Sequence, residues 1–223
     1  MTEHVTFACD IGSTRRGRFG WVRIADDTGV ASHPTTGSDI SGLVEALAND
    51  LIIGHKVSLG IEAPLFIPIP DSATELSIGR EHEGDRSCFA PAGSAVALLM
   101  LHQMAWMFRQ LSSSLRARCL DLKYCFALEE WGESPGTLLI WEAFVSRRGH
   151  HENDADRHVR DALLAAKQFR QQFSNGWPHY ANTIHIRQGS SSLSLIDVAL
   201  LYATASADIA GLHRSNIQVV SIP

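Results

Sequence analysis

The chain has 223 residues, of which 45% are hydrophobic and 19% are charged, a balance typical of a globular domain with a substantial core. The formal net charge of −5 argues against broad, nonspecific binding of nucleic acid, which depends on lysine and arginine. The four cysteines show no C-x-x-C spacing, so a zinc site is not expected and a reducing, cytoplasmic location fits best. No secretory segment and no membrane span is expected.

The first part of the chain alternates apolar runs with turn residues. Residues 5–10, 19–24 and 30–33 predict three strands, and Asp27-Thr28-Gly29 has the chemistry of a hairpin turn. These strands should form an antiparallel meander.

A helix and a fourth strand follow the meander. Residues 40–51 carry apolar side chains at helical spacing, and residues 57–61 form a buried strand that ends at Glu62. The three prolines of APLFIPIP, residues 63–70, predict a break in regular structure. The apolar helix from Ala95 to Phe108 predicts a core element, and it also offers a surface through which an oligomer could form.

The second half alternates strands with helices. Its predicted elements are a strand over residues 137–145, helices over residues 154–173 and 194–209, and a final strand over residues 217–222. This order predicts one α/β domain over residues 1–223 with a mixed sheet. Residues 71–136 would form an inserted loop and helical region.

Three acidic residues lie where strand ends and a helix would bring them together. Asp10 ends the first strand, Glu62 ends the fourth, and Asp197 lies on the late helix. Such a cluster is unfavourable alone, because like charges raise each other's pKa. Mg²⁺ or Mn²⁺ between the oxygens would remove that repulsion. Two such ions roughly 3.5–4 Å apart would activate a water and stabilise the leaving oxygen of a phosphodiester.

Taken together, these motifs resemble the family of predicted ribonuclease-H-like nucleases. The matching positions are Asp10, Gly20-Trp21, GIEAP at residues 60–64, Arg80, Asp85-Arg86, Glu142 and Asp197. The resemblance implies a ribonuclease-H-like fold, in which an antiparallel three-strand meander is followed by parallel strands and flanked by helices. It also implies a metal site and a nuclease that acts on nucleic acid or nucleotides.

Two further acids are less favoured as metal ligands. Asp197 fits the family's order of elements better than Asp161, because it lies on the helix before the terminal strand. Glu142 is at least as well explained as a buried acid held by a hydrogen bond or an ion pair. Asp154, His158 and Asp161 share one helix face in a geometry that suits a metal, but a polar helix start explains them more simply.

Arginines near the acids are candidate phosphate contacts. Arg80 and Arg86 lie in the loop after the fourth strand, and Arg15 and Arg16 follow Asp10. Guanidinium groups bind phosphate through two parallel hydrogen bonds. The alternative is that these side chains are solvated or paired with nearby acids.

Three functions remain open, and the favoured one is a divalent-metal-dependent nuclease that hydrolyses phosphodiester bonds in DNA, RNA or a small nucleotide. The segment DIGST, residues 10–14, also resembles the first phosphate motif of actin-like phosphotransferases, which would bind ATP there. That alternative lacks a recognisable second phosphate loop. The third is a catalytically inactive ribonuclease-H-like scaffold or binding module.

Overall fold

The computed structural model describes residues 4–25, 33–83, 87–133, 136–145, 157–174, 184, 190–204 and 218–222. The strands, in chain order, are β1 His4–Asp10, β2 Gly20–Ala25, β3 Thr35–Gly37, β4 Lys56–Glu62, β5 Phe66–Pro70, β6 Lys123–Cys125, β7 Thr137–Val145, β8 Ser190–Ser194 and β9 Gln218–Ile222. The helices are α1 Ile40–Ile53, α2 Pro91–Arg116, α3 Leu128–Glu133, α4 Arg157–Ser174 and α5 Leu195–Thr204.

The main sheet is mixed, with strand order β3-β2-β1-β4-β7-β6, and β9 also pairs with β7. β2 is antiparallel to both β1 and β3, whereas β4 is parallel to β1 and β7 is parallel to β4. β6 and β9 share one edge of β7, since they pair with its first and second halves. The predicted α/β class with a mixed sheet is therefore confirmed.

Helices cover both faces of the sheet and enclose two apolar clusters. Alternate residues of β1, namely Val5, Phe7 and Cys9, belong to the larger cluster, which α1, α2 and α5 complete. Ala8 points to the opposite face, where Trp141 stacks on Phe169 of α4 with ring centroids 4.4 Å apart. Because side chains alternate along a strand, Asp10 lies on the α4 face with Ala8.

Most predicted elements are confirmed, with shifted ends. The helix predicted over residues 40–51 is α1, in which the Asp39 carboxylate accepts a hydrogen bond from the Gly42 amide. The predicted third strand and hairpin turn fall largely on residues 26–32, outside the described residues, and β3 lies just beyond them.

The expectation that residues 63–70 lack regular structure is wrong. β5 pairs antiparallel with β8 in a separate two-stranded sheet. Pro68 and Pro70 are two residues apart, so their missing N–H groups fall on the same edge of β5, and the other edge remains free to pair. The stretch predicted as the start of the late helix also belongs to this ribbon, since α5 begins at Leu195.

Residues 71–136 contribute to the sheet and to its core. They supply β6 and the long helix α2, whose Met100, Met104, Met107 and Phe108 side chains are fully buried. The apolar stripe predicted on this helix therefore packs within the chain. Among the described residues, no helix is long and apolar enough to cross a membrane.

Candidate metal centre

Two carboxylates lie side by side at the carboxyl edge of the sheet. β1 and β4 are parallel and in register, and their last residues, Asp10 and Glu62, are direct partners. Parallel strands in register point paired side chains to the same face, so both acids project toward α4. The apolar runs that end at these residues thus place two acids next to each other.

A third carboxylate comes from α4. Asp10, Glu62 and Asp161 each offer an oxygen, and these oxygens all lie within 4.8 Å of one another. Asp10 is only 9% exposed, whereas the Asp161 side chain is 29% exposed, so the cluster is reached from one side. Three carboxylates at this separation are a suitable ligand set for a hard divalent cation.

The structure places Asp161, rather than Asp197, with Asp10 and Glu62. Asp197 lies in the first turn of α5, whose neighbouring side chains Ile196 and Ala199 pack in the larger apolar cluster, on the other face of the sheet. The Asp197 backbone amide donates a hydrogen bond to the Ser194 hydroxyl, which caps the helix. We therefore replace Asp197 by Asp161 in the candidate ligand set.

Two glycines allow this arrangement. Gly20 pairs with Asp10 across β1 and β2, and an added Cβ there would lie 2.4 Å from the backbone of His158 and Val159. Only glycine lets the first turn of α4 approach the sheet so closely. Gly60, two residues before Glu62, is similarly covered by the Trp141 ring, 2.3 Å from the position of a Cβ.

The cluster is electrostatically strained but partly compensated. Burial raises the pKa of the Asp10 carboxyl, and the negative charge of Asp161 raises it further. A hydrogen bond from His158 and the positive charges of His158 and Arg157 lower this pKa. His158 Nδ1 contacts Asp10 Oδ2, and Arg157 Nε lies 3.5 Å from Asp161 Oδ2. One imidazole and one half-exposed guanidinium therefore offset part of the charge of Asp10 and Asp161.

The Glu142 carboxylate also lies near this edge of the sheet, but other groups bind it. Arg80 donates two hydrogen bonds to it at 2.7 and 2.8 Å, and the Leu65 amide donates a third at 2.9 Å. Glu83 accepts from Arg80 Nε at 2.8 Å, and the guanidinium lies 4.4 Å from the Phe66 ring centroid. Both Arg80 and Glu142 are almost fully buried. Burial lowers the pKa of Arg80, but the negative charges of Glu142 and Glu83 and the hydrogen bonds that their oxygens accept raise it overall.

This network removes Arg80 from the candidate phosphate contacts and Glu142 from the candidate metal ligands. The predicted role of Arg80 required a guanidinium that faces solvent, whereas both of its edges are taken by carboxylates. Because an ion pair of this kind neutralises Glu142, the structure matches the simpler interpretation of that acid.

The remaining predicted basic residues lie at different places. Arg15 and Arg16 are exposed in a short 3-10 turn after β1, and their side chains form no ion pair with the described residues. Arg86 and Asp154 lie outside the described residues. The sequence did not indicate Arg157 as a phosphate contact. The feature that could have indicated it is its four-residue spacing to Asp161, which places both side chains on one face of α4.

A cavity of about 410 Å³ opens beside Asp10 and Glu62. Its charged lining residues are Asp10, Glu62, Glu142 and Arg157. Its uncharged walls come from the end of β1, the turn after β4, the start of α2 and the end of β7: Ile11, Ala63, Pro64, Ala90, Ala92, Gly93, Val96, Ala143 and Phe144. Two of the three clustered acids therefore share the cavity with a largely apolar lining.

Comparison of the chain with protein-family models, with curated proteins and with solved structures found no match. The functional argument therefore rests on the geometry of the carboxylates and of the cavity beside them.

Proposed function

We propose that the chain is a divalent-metal-dependent hydrolase of phosphodiester bonds, with a ribonuclease-H-like sheet that carries the metal site. The observation that carries the proposal is the convergence of Asp10, Glu62 and Asp161 within 4.8 Å at the carboxyl edge of parallel strands. The strand order β3-β2-β1-β4-β7, with only β2 reversed, supports the ribonuclease-H-like part of the proposal. The four free cysteines fit the cytoplasmic location that we propose.

Asp10, Glu62 and Asp161 would hold one or two Mg²⁺ or Mn²⁺ ions, which would lower the pKa of the attacking water and stabilise charge on the phosphate. His158 would fix the Asp10 carboxylate through its hydrogen bond, as residues behind a ligand commonly do.

The phosphate would lie between the carboxylates and the start of α2. Arg157 lines the cavity and has a side chain that is 52% exposed, so it is free to rotate toward an anion. Ala90, the N-cap of α2, provides no side-chain hydrogen bond to the first amides of that helix. Those amides and the helix dipole favour a negative group at this wall.

In the proposed reaction, the oxygen of a water molecule attacks phosphorus and the bond from phosphorus to the leaving oxygen breaks. One proton of the water passes to solvent, and the leaving oxygen takes up a proton to become an alcohol. The products are a phosphomonoester and that alcohol. No oxidant, reductant or second substrate is needed.

The phosphotransferase alternative would need a second phosphate loop, and residues 27–29, the only other Asp-x-Gly in the chain, lie outside the described residues. A scaffold role would predict no metal binding and is therefore tested by the same experiment as the hydrolase.

Titration calorimetry with Mn²⁺ tests the proposal on the parent chain, on Asp10→Asn and on the control Asp71→Asn, an exposed aspartate that does not line the cavity. We expect the parent and the control to bind Mn²⁺ alike and Asp10→Asn to bind at least tenfold more weakly. Mn²⁺-dependent hydrolysis of bis(p-nitrophenyl) phosphate should follow the same order. An absence of binding by the parent at millimolar Mn²⁺ would refute the proposal.

A further inference from the structure

The shape of the cavity bears on which phosphodiester would be bound. Its volume of about 410 Å³ lies within the range of about 300–1,000 Å³ that is typical of sites for small organic ligands. A base of a duplex would have to leave the stack in order to occupy this cavity. The cavity thus fits one nucleotide unit at a time.

The lining of the cavity combines the two chemistries of a nucleotide. Asp10, Glu62, Glu142 and Arg157 supply charged groups, whereas Pro64, Val96 and Phe144 supply apolar surface. Phe144 is partly exposed, so its ring offers an apolar surface on which a flat organic group can pack. A phosphate at Asp10 and Glu62 would therefore leave the apolar lining to an uncharged body.

The described lining of the cavity offers few cations for the phosphates of a long strand. A bound strand would place further phosphates beside the one that reacts, and each would need a cation. Among the described residues that line the cavity, only Arg157 is basic. Arg15 and Arg16 lie on the turn after β1 and do not line the cavity.

We infer that the cavity binds the nucleoside part of a small nucleotide ester, so that the substrate is a mononucleotide-sized phosphodiester rather than a nucleic-acid duplex or long strand. This inference rests on the proposed function, since the phosphate must lie at the three carboxylates. It adds the walls at Ala92, Val96 and Phe144 as the part of the site that selects the organic group.

Ala92→Trp tests this inference directly. Ala92 lines the cavity and is exposed, so an indole there would fill the space without disturbing the core. Leu98→Trp is the matched control, because Leu98 lies on the same helix, is 69% exposed and does not line the cavity. Both variants place a tryptophan on the surface of α2.

The probes are thymidine 5′-monophosphate, whose binding is followed by calorimetry in the presence of Mn²⁺, and its p-nitrophenyl ester, whose hydrolysis is followed by absorbance. We expect Ala92→Trp to weaken binding of the monophosphate and to lower kcat/KM for the ester, each at least tenfold. Its Mn²⁺ affinity should stay within twofold of the parent value. Leu98→Trp should match the parent in all three measurements.

Oligonucleotides provide the opposing arm of the experiment. Faster cleavage of a single-stranded or duplex oligonucleotide than of the p-nitrophenyl ester would overturn the inference, particularly if Arg15→Ala with Arg16→Ala slowed that cleavage. Unchanged binding and hydrolysis in Ala92→Trp would also overturn it. In both cases Mn²⁺ binding and hydrolysis would persist, which separates failure of this inference from failure of the proposed function.

Discussion

Replacing Asp161 and Asp197 in turn, each of which lies on a helix on a different face of the sheet, tests which carboxylate completes the metal site. Asp161→Asn removes the acid that lies with Asp10 and Glu62, and Asp197→Asn removes the one on α5. Both substitutions keep the size of the side chain and remove one charge. We expect only Asp161→Asn to reduce stabilisation by Mn²⁺ strongly, because Asp161 contributes an oxygen to the cluster and Asp197 does not.

The size of the effect follows from binding linkage. With free Mn²⁺ at about 100 times its Kd, binding stabilises the folded parent by about 2.7 kcal/mol. If loss of a ligand weakens binding about 100-fold, the same Mn²⁺ concentration stabilises Asp161→Asn by about 0.4 kcal/mol. For a chain of 223 residues, each kcal/mol moves Tm by about 2–4 °C. The parent should therefore shift by about 5–11 °C and the variant by about 1–2 °C.

The metal-free proteins add a second signature. Unit charges within 4.8 Å of each other repel by about 3.5 kcal/mol before solvent screening, at an effective dielectric constant of about 20. Asp161→Asn removes two of the three repulsions in the cluster, so its metal-free Tm should equal or exceed that of the parent. The partial exposure of Asp161 reduces this gain.

Differential scanning calorimetry with and without Mn²⁺ measures both quantities on each variant. A full Mn²⁺ shift in Asp161→Asn together with a lost shift in Asp197→Asn would refute the assignment of the site to the α4 face. Because the shift is a difference within one variant, a loss of metal-free stability in Asp197→Asn does not affect the comparison.

Three further outcomes are expected. Arg80→Met should lower the free energy of unfolding by about 3–5 kcal/mol, because it leaves the Glu142 carboxylate buried without its cation; a loss below 1 kcal/mol in urea denaturation would contradict this. Gly20→Ala should push α4 away from the sheet and lower the free energy of unfolding by about 1–3 kcal/mol. It should also weaken Mn²⁺ binding at least tenfold, as measured by calorimetry. An unchanged Mn²⁺ affinity would count against the close approach of α4 to Gly20. Iodoacetamide at pH 8 should label the exposed Cys119 first, as followed by mass spectrometry. Burial and the nearby Glu83 carboxylate raise the pKa of Cys88 to about 11, so its reactive thiolate forms only as the pH approaches that value. Rapid labelling of Cys88 would be inconsistent with its burial.

The sequence predicts the placement of Asp10 and Glu62 well. Asp10 and Glu62 each end an uninterrupted apolar run, and such runs become central parallel strands whose carboxyl ends meet at one edge. Their side-by-side placement needs only that β1 and β4 be neighbours in register, which the structure shows. Local pattern is sufficient here because the acids lie at the ends of the elements that it predicts best.

The third acid depends on information that local pattern does not contain. Alternation along β1 puts Asp10 on the same face as Ala8, but the sequence does not say which helix covers that face. Asp161 and Asp197 both lie on helices with an apolar side. The decisive feature is the close approach of α4 at Gly20, a contact between residues more than one hundred positions apart in the chain.

The two groups of acids at this edge differ in their surroundings, and that difference is the strongest reason to assign chemistry to one of them. Glu142 is bound by a guanidinium through two short hydrogen bonds inside the core, so its charge is balanced without any ligand. Asp10, Glu62 and Asp161 instead bring three carboxylate oxygens within 4.8 Å of one another, and Asp10 and Glu62 line a cavity. Folding alone does not favour like charges at such a separation. A cluster of this kind next to a cavity is suited to bind a cation from solvent together with the substrate that occupies the cavity.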